Sequence, residues 1–358
     1  MAGLYVHIPF CKKRCLYCDF FSTTQLERRK DYVQALLTEI ETRKNEANEQ
    51  IRTIYLGGGT PSTLNPNDIC RILEAVGTQD AEEVTMELNP GDATLDYMRA
   101  IRAAGVNRLS IGIQSLQDEL LRLIGRRHNA AQAIEAVHWA QKAGFDNISI
   151  DLMYALPTQS KALWTADIDQ ALALNIQHIS SYGLMYEEGT ALTYLRDCNK
   201  ITPIDEDTEN EMYDLLCEQL SHAGFVHYEV SNFALPGYEA KHNSNYWNGT
   251  PYIGVGAGAH NYIGNIRSWN PNNLEAYIQG IHNGSLQRES ETLTPTDLYN
   301  ERIMLGLRTN KGVPKAEIQA DILPHIQAGM IRETSDGQVI ATQKGLHILN
   351  VIIEDLMI

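Results

Sequence analysis

The stretch Leu4-Tyr5-Val6-His7-Ile8-Pro9-Phe10-Cys11-Lys12-Lys13-Arg14-Cys15-Leu16-Tyr17-Cys18 decides how the rest of the chain is read. Residues 4–8 are rich in Val, Ile, Leu and Tyr and suit a buried parallel strand. A loop carrying three cysteines follows directly. The strand half of this unit recurs at 53–56, 84–88, 108–113, 148–153 and 178–184. Each run leads into a loop with Gly, Pro or Ser and then an amphipathic helical pattern. In residues 32–41, Tyr32, Leu36, Leu37 and Ile40 fall on one face. Ala104-Gly105-Val106, Ala143-Gly144-Phe145 and Ala223-Gly224-Phe225 each put Gly where a left-handed helix cap is wanted. Six consecutive β–α units predict a parallel sheet with right-handed crossovers. The expected fold is α/β, a partial (β/α)6 TIM-type barrel, with chemistry at the C-terminal ends of its strands.

The pattern breaks after residue 230. Residues 231–291 are rich in Asn, Gly and aromatics with weak periodicity and read as a linking segment. A mostly helical, winged-helix-like module is expected over 292–358. It opens on a Thr294 cap and Pro295 and includes a turn at Ser335-Asp336-Gly337. The expected divisions are therefore 1–230, 231–291 and 292–358.

The chain has 358 residues, 43% apolar and 21% charged, ordinary for a globular protein with a sizeable core. Its net charge of −16 argues against an electrostatic grip on nucleic acid or an anionic membrane face. No signal peptide and no apolar run long enough to span a bilayer is read, so a cytoplasmic location is expected. No heptad or apolar stripe speaks to the oligomeric state.

Six cysteines, three of them at 11, 15 and 18, do not resemble a disulfide framework. Soft thiolates select iron–sulfur clusters, zinc or copper(I). Structural zinc wants four ligands, usually in paired C-x2-C halves. Three inert buried thiols are the other rival, poorly suited to a loop with Lys12, Lys13 and Arg14 between the cysteines. These cations are expected to favour thiolates and to offset a cluster's negative charge. Three thiolates on a four-iron cubane leave one iron open to chelate a small ligand. Cys70, Cys198 and Cys217 lie apart and read as small apolar fillers.

C-x3-C-x2-C after the first strand resembles the signature of the radical SAM enzymes. That resemblance implies a [4Fe–4S] cluster on Cys11, Cys15 and Cys18, with the open iron binding S-adenosylmethionine. Gly57-Gly58-Gly59-Thr60-Pro61 after the second strand matches the family segment that holds the methionyl amino group. Glu87, Gln114, Arg126 and Asp151 recur at or just beyond successive strand ends and suit a zwitterionic nucleoside. The order and spacing of these segments, with 301–308, resemble the oxygen-independent coproporphyrinogen III oxidase family over nearly the whole chain. By that analogy Tyr5, Gly58, Gly59, Thr60, Glu87, Gln114, Arg126 and Asp151 contact S-adenosylmethionine. Tyr5 and Phe10 are candidates to pack near the cluster or adenine, with core packing as the alternative.

Two departures separate the chain from the oxidases. Asp19-Phe20 follows Cys18 where they carry a further cysteine, and the N-terminal extension that helps cover their substrate is expected to be absent. His242-Asn243-Ser244-Asn245-Tyr246-Trp247 instead matches the H-N-x-x-Y-W motif of the family's haem-chaperone subfamily. A neutral imidazole is a good axial iron ligand, and Tyr246 and Trp247 offer faces to a planar macrocycle. Gly254, Gly256 and Gly258 are expected to let backbone approach such a ligand. The plain alternative is a hydrogen-bonded histidine among core aromatics. The resemblance thus implies haem as a third cofactor, His242 as its ligand, and a haem-acceptor protein, membrane-associated or not, as partner. No catalytic residue is assigned. Oxidative decarboxylation of coproporphyrinogen III is the competing activity, and a metal-stabilised α/β protein without cofactor chemistry is the third reading.

Overall fold

The computed structural model describes residues 1–358. β1 (Ala2–Ile8), β2 (Ile51–Gly58), β3 (Glu83–Leu88), β4 (Arg108–Gln114), β5 (Ile148–Tyr154) and β6 (His178–Gly183) pair in parallel, in sequence order. On β1, Leu4, Val6 and Ile8 are fully buried in the main core, together with Tyr32, Leu36 and Ile40 of the helix Arg29–Arg43. Tyr5 and His7 alternate to the inside. Helix starts are fixed by Asn65, Thr94, Asn129 and Ser160, whose side chains each accept a first-turn amide. Gly105, Gly144 and Gly224 have φ of 112°, 91° and 84°, the expected left-handed caps.

The barrel stays open. β7 (Val226–Glu229) and β8 (Asn232–Ala234) extend the sheet antiparallel beyond β6. β9 (Tyr252–Val255) joins β1 in parallel, and β10 (His260–Ile263), β11 (Ile266–Trp269) and β12 (Glu289–Thr292) continue from it antiparallel. β12 and β7 are the two edges of a 12-stranded sheet. Residues 231–291, expected as a linking segment, thus build strands on both flanks. Those strands are three or four residues long, too short to show a period.

The lumen is polar. The helix Lys241–Asn248 crosses its floor, at the N-terminal ends of the strands. The amides of Lys241 and His242 donate to Glu83, the first residue of β3, at 2.8 and 2.9 Å. The cysteine loop lies at the opposite end. Five residues of β1, about 17 Å at strand rise, separate the floor at Gly3 from Ile8.

The β9 flank is tied back by one fully buried carboxylate. Glu39 Oε1 accepts from Arg43 Nη1 at 2.6 Å and Asn270 Nδ2 at 2.8 Å. Its Oε2 accepts from Gly256 N and the Tyr277 hydroxyl, both at 2.7 Å. Gly254 and Gly256 serve this closure. A Cβ on Gly254 would lie 2.1 Å from the His260 carbonyl oxygen, and one on Gly256 2.5 Å from the Tyr32 hydroxyl. Gly258 likewise faces Asn272 and Phe21. The expectation that these glycines face a flat ligand is corrected: the protein's own backbone and side chains fill the approach.

The C-terminal module has a separate core around Ile303, Leu307, Val339 and Ile352. Its helix Pro295–Gly306 starts in a capping box between Thr294 and Asp297. β13 (Val313–Pro314), β14 (Ile331–Glu333) and β15 (Gln338–Ala341) form an antiparallel sheet in the order β13-β15-β14, with the expected turn at Ser335-Asp336-Gly337 joining the last two. No helix is long and apolar enough to cross a membrane.

Glu39→Gln places an amide against donors and removes one of the two carboxylates paired with the buried Arg43, the other being Glu46 at 2.7 Å. The expected cost is about 1–3 kcal/mol, seen as a lower apparent melting temperature and faster hydrogen exchange in residues 254–277. An unchanged melt would remove the clamp from the account.

Candidate functional site

The strand ends converge on a cavity of about 390 Å³. Cys11, Cys15 and Cys18 line it with Gly58, Gly59, Thr60, Glu87, Gln114, Arg126 and Asp151. All three cysteines are free. No three His, Cys, Asp or Glu side chains converge on a single ion, so the thiols are arrayed around a space rather than a point.

Each wall has its own hold. Thr60 Oγ1 is 3.4 Å from Cys11 Sγ, and Arg126 Nη1 donates to Cys15 Sγ at 3.5 Å. The other end of the Arg126 guanidinium donates to the Gly112 carbonyl, while its buried Nε has no partner in the chain. Gln114 holds φ at +74°, a conformation L side chains rarely adopt, over the same Gly112. Asp151 accepts from Ser110 Oγ at 3.1 Å, and burial raises its pKa. Glu87 accepts from the Tyr55 hydroxyl at 2.8 Å and from Gly58 N at 3.1 Å. Burial lifts its carboxyl to about 7. A Cβ on Gly59 would sit 2.7 Å from the Pro9 backbone, and one on Gly58 2.4 Å from the His7 ring. The glycine run is thus demanded by the close approach of β1 and β2 beneath the cysteine loop.

These residues fit the cluster and the nucleoside by the chemistry of their donor set. Soft donors occupy one end of the cavity, and carboxylates, an amide and a guanidinium occupy the other. One expectation needs correction. The cations between the cysteines do not dominate the thiols: burial pushes both Cys11 and Cys18 upward. Lys12 is turned away to Asp92 at 2.6 Å. Asp92 also pairs with Arg127 at 2.9 Å and accepts from Ser62 Oγ at 3.2 Å. Sequence reasoning missed Asp92, Arg127 and Tyr55. Asp92 stood only as a turn residue after Asn89-Pro90-Gly91, and Tyr55 as one more strand aromatic.

Two sequence candidates lie elsewhere. Tyr5 does not line this cavity; its hydroxyl is 3.0 Å from His7 Nδ1, inside the lumen. Phe10 is core, edge-on to Tyr32 at 5.3 Å. His7 lies beneath the cysteine loop, its Nδ1 beside the Tyr5 hydroxyl and its Nε2 beside the Phe21 carbonyl, and burial lowers it to about 4.

His242 sits at the floor, 1% exposed. Its Nδ1 is 3.0 Å from Thr53 Oγ1 and its Nε2 3.0 Å from the Tyr246 hydroxyl. Burial lowers it to about 3, so the ring is neutral. The structure therefore does not bring His242 to the cysteines. What joins the two ends is a run of cavities. An inner chamber of about 420 Å³ shares Glu87 and Tyr182 with the cysteine cavity. It shares Glu229, Tyr246 and Trp247 with a cleft of about 1080 Å³ beside the C-terminal module.

Known proteins place this geometry. Residues 5–169 match the Radical SAM superfamily, and residues 293–345 match the HemN C-terminal domain. The chain is 38% identical over 314 residues to the heme chaperone HemW of Lactococcus lactis subsp. lactis (strain IL1403), covering 86% of this chain and 82% of that one. It is 36% identical over 323 residues to the heme chaperone HemW of Bacillus subtilis (strain 168), covering 88% and 85%. It is 34% identical over 386 residues to the mitochondrial radical S-adenosyl methionine domain-containing protein 1 of Danio rerio, covering 100% and 87%. Among solved structures, coproporphyrinogen III oxidase (HemN) from Escherichia coli superposes with a TM-score of 0.82 at 23% identity, over 99% of this chain and 90% of that one. That likeness speaks to the fold.

Glu87 makes stability depend on pH. Its folded value of about 7 stands above its ordinary 4.5. The stability it contributes is complete below pH about 4.5 and is lost as pH rises through about 7, up to about 3 kcal/mol. Glu229, also lifted to about 7 by burial, acts in the same window. Denaturant unfolding of Glu87→Gln across pH 5–8 should show the wild-type decline reduced by about half. A decline as steep as the wild type's would mean that Glu87 is charged in the folded state.

Proposed function

The chain belongs to the radical SAM superfamily and, within it, to the family of the heme chaperones HemW, and we propose that it is itself a haem chaperone. It carries a [4Fe–4S] cluster on Cys11, Cys15 and Cys18, exchangeable S-adenosylmethionine, and haem that it passes to an acceptor protein. The observation that carries this reading is the single strand-end cavity that gathers three free cysteines with the glycine run, Glu87, Gln114, Arg126 and Asp151. Bound there, the cluster would supply an open iron and one-electron chemistry.

The chain's own part is positioning. Gly58, Gly59 and Thr60 hold the wall next to Cys11 and suit the methionyl amino group. Arg126 suits the carboxylate, having an Nε without a protein partner. Glu87, with a proton available near neutrality, and Asp151 suit ribose hydroxyls. Gln114 is fixed over Gly112 to meet the nucleoside. Tyr5 acts from behind this layer through the lumen. His242 is the haem-iron donor through Nε2, which requires the Tyr246 hydroxyl to swing away; burial already keeps the ring in its ligating, neutral form. Asp19-Phe20 after Cys18 sets the reading apart from coproporphyrinogen oxidation.

Anaerobically reconstituted protein should show the broad charge-transfer absorption of a cluster, and Cys15→Ser should lose it. An unaltered spectrum in that variant would discard the ligand assignment. Haemin titration of the wild type should shift the Soret band, with a roughly tenfold weaker midpoint in His242→Ala. Steady turnover of coproporphyrinogen III with reductant and S-adenosylmethionine would replace the chaperone by the oxidase.

A further inference from the structure

A cavity larger than the cysteine site lies elsewhere in the molecule. It is the cleft between the floor helix Lys241–Asn248 and the helix Pro295–Gly306 of the C-terminal module. Its volume of about 1080 Å³ is at the upper end for a small-molecule site.

The two walls are built differently from the rest of the surface. Leu298, Glu301, Arg302 and Leu305 follow one another at helical spacing and face the cleft. The residues of this helix that hold the module together, Ile303 and Leu307, lie in the module core. Leu298 and Leu305 belong to none of the three hydrophobic cores, nor does Trp247 opposite them. Half-buried apolar side chains that pack in no core, facing each other across a gap, are left for a ligand to cover. Tyr246 and Trp247 make that surface aromatic and flat on one side.

The cleft is also charged unevenly. Glu301 is neutralised by Arg267 at 2.6 Å. Glu229 is held by Ser231 N and Asn232 Nδ2 and is raised to about 7 by burial, so it opposes an anion only weakly. Lys311, just past the end of the helix, makes no ion pair, whereas Arg302 is met by both carboxylate oxygens of Glu317, and Glu239, on the cleft wall, has no cation partner. In a chain of net charge −16, a lysine without an ion-pair partner beside unpacked apolar side chains is a minority surface. It complements a flat apolar molecule with carboxylates on one edge.

We infer that this cleft is the haem seat, with the macrocycle between Tyr246/Trp247 and Leu298/Leu305 and a propionate toward Lys311. The inference rests on the chaperone reading above and adds to it that the C-terminal module is half of the binding site. It also places the ligand where a swing of Tyr246 uncovers His242, since Tyr246 borders the cleft and hydrogen-bonds His242.

The test titrates the full-length, cluster-reconstituted chain with haemin and, in parallel, with haemin dimethyl ester, whose carboxylates are masked. The readouts are Soret absorbance and stoichiometry. The variants are Leu305→Glu and Lys311→Glu; both side chains lie outside the cores, and circular dichroism and cluster absorbance serve as folding controls. One haemin should bind per wild-type chain. Leu305→Glu should weaken both ligands roughly tenfold or more. Lys311→Glu should weaken haemin but leave the ester unchanged. Wild-type binding that neither variant alters overturns the cleft while leaving the chaperone reading standing. Failure of the wild type to bind haemin at all overturns that reading and the cleft with it.

Discussion

The mouth of the barrel is held by the Asp92 carboxylate. Only 2% of its side chain is exposed, and it takes a charge-assisted bond from Lys12, between the first two cysteines, and another from Arg127, beyond β4. Ser62 donates to it as well and accepts the amide of Asn89. Four strand-end loops therefore meet at one anion. Their geometry must be shared, because a cavity lined by residues from five strands works only if the loops do not drift independently. Without Asp92, Arg127 would be left partly buried and uncompensated, a cost of several kcal/mol.

Below that mouth the lumen is polar yet almost free of net charge. Burial leaves the rings of His7 and His242 neutral, and holds Glu87 and Glu229 near the point where each carries its proton. The cysteine cavity and the module cleft share no lining residue; each borders the chamber between them. Glu87 and Tyr182 belong to the upper partition, Tyr246 and Trp247 to the lower one.

The six parallel strands were legible because each is buried on both faces and so reads as an apolar run. The cysteine loop and the strand-end polar residues were legible because a barrel puts all of its C-terminal ends on one side. The floor helix was visible as a motif but not as a place. Nothing local in His242-Asn243-Ser244-Asn245-Tyr246-Trp247 says that Thr53 and Glu83 will hold it. The short strands from β8 to β12 escaped for the same reason: each is stabilised by a partner far along the chain, not by its own pattern. The effect of burial on Cys11 and Cys18 was likewise invisible in a sequence that shows only the neighbouring cations.

Glu39 has a consequence for the order of assembly. Its four acceptor bonds draw on Arg43, Gly256, Asn270 and Tyr277, so the first helix of the protein is completed by residues made three-quarters of the way along. A nascent chain emerging from the ribosome can build β1 to β6 in turn, but it must keep that carboxylate hydrated until residue 277 has been added. The amino-terminal half therefore waits, incompletely sealed, for most of translation.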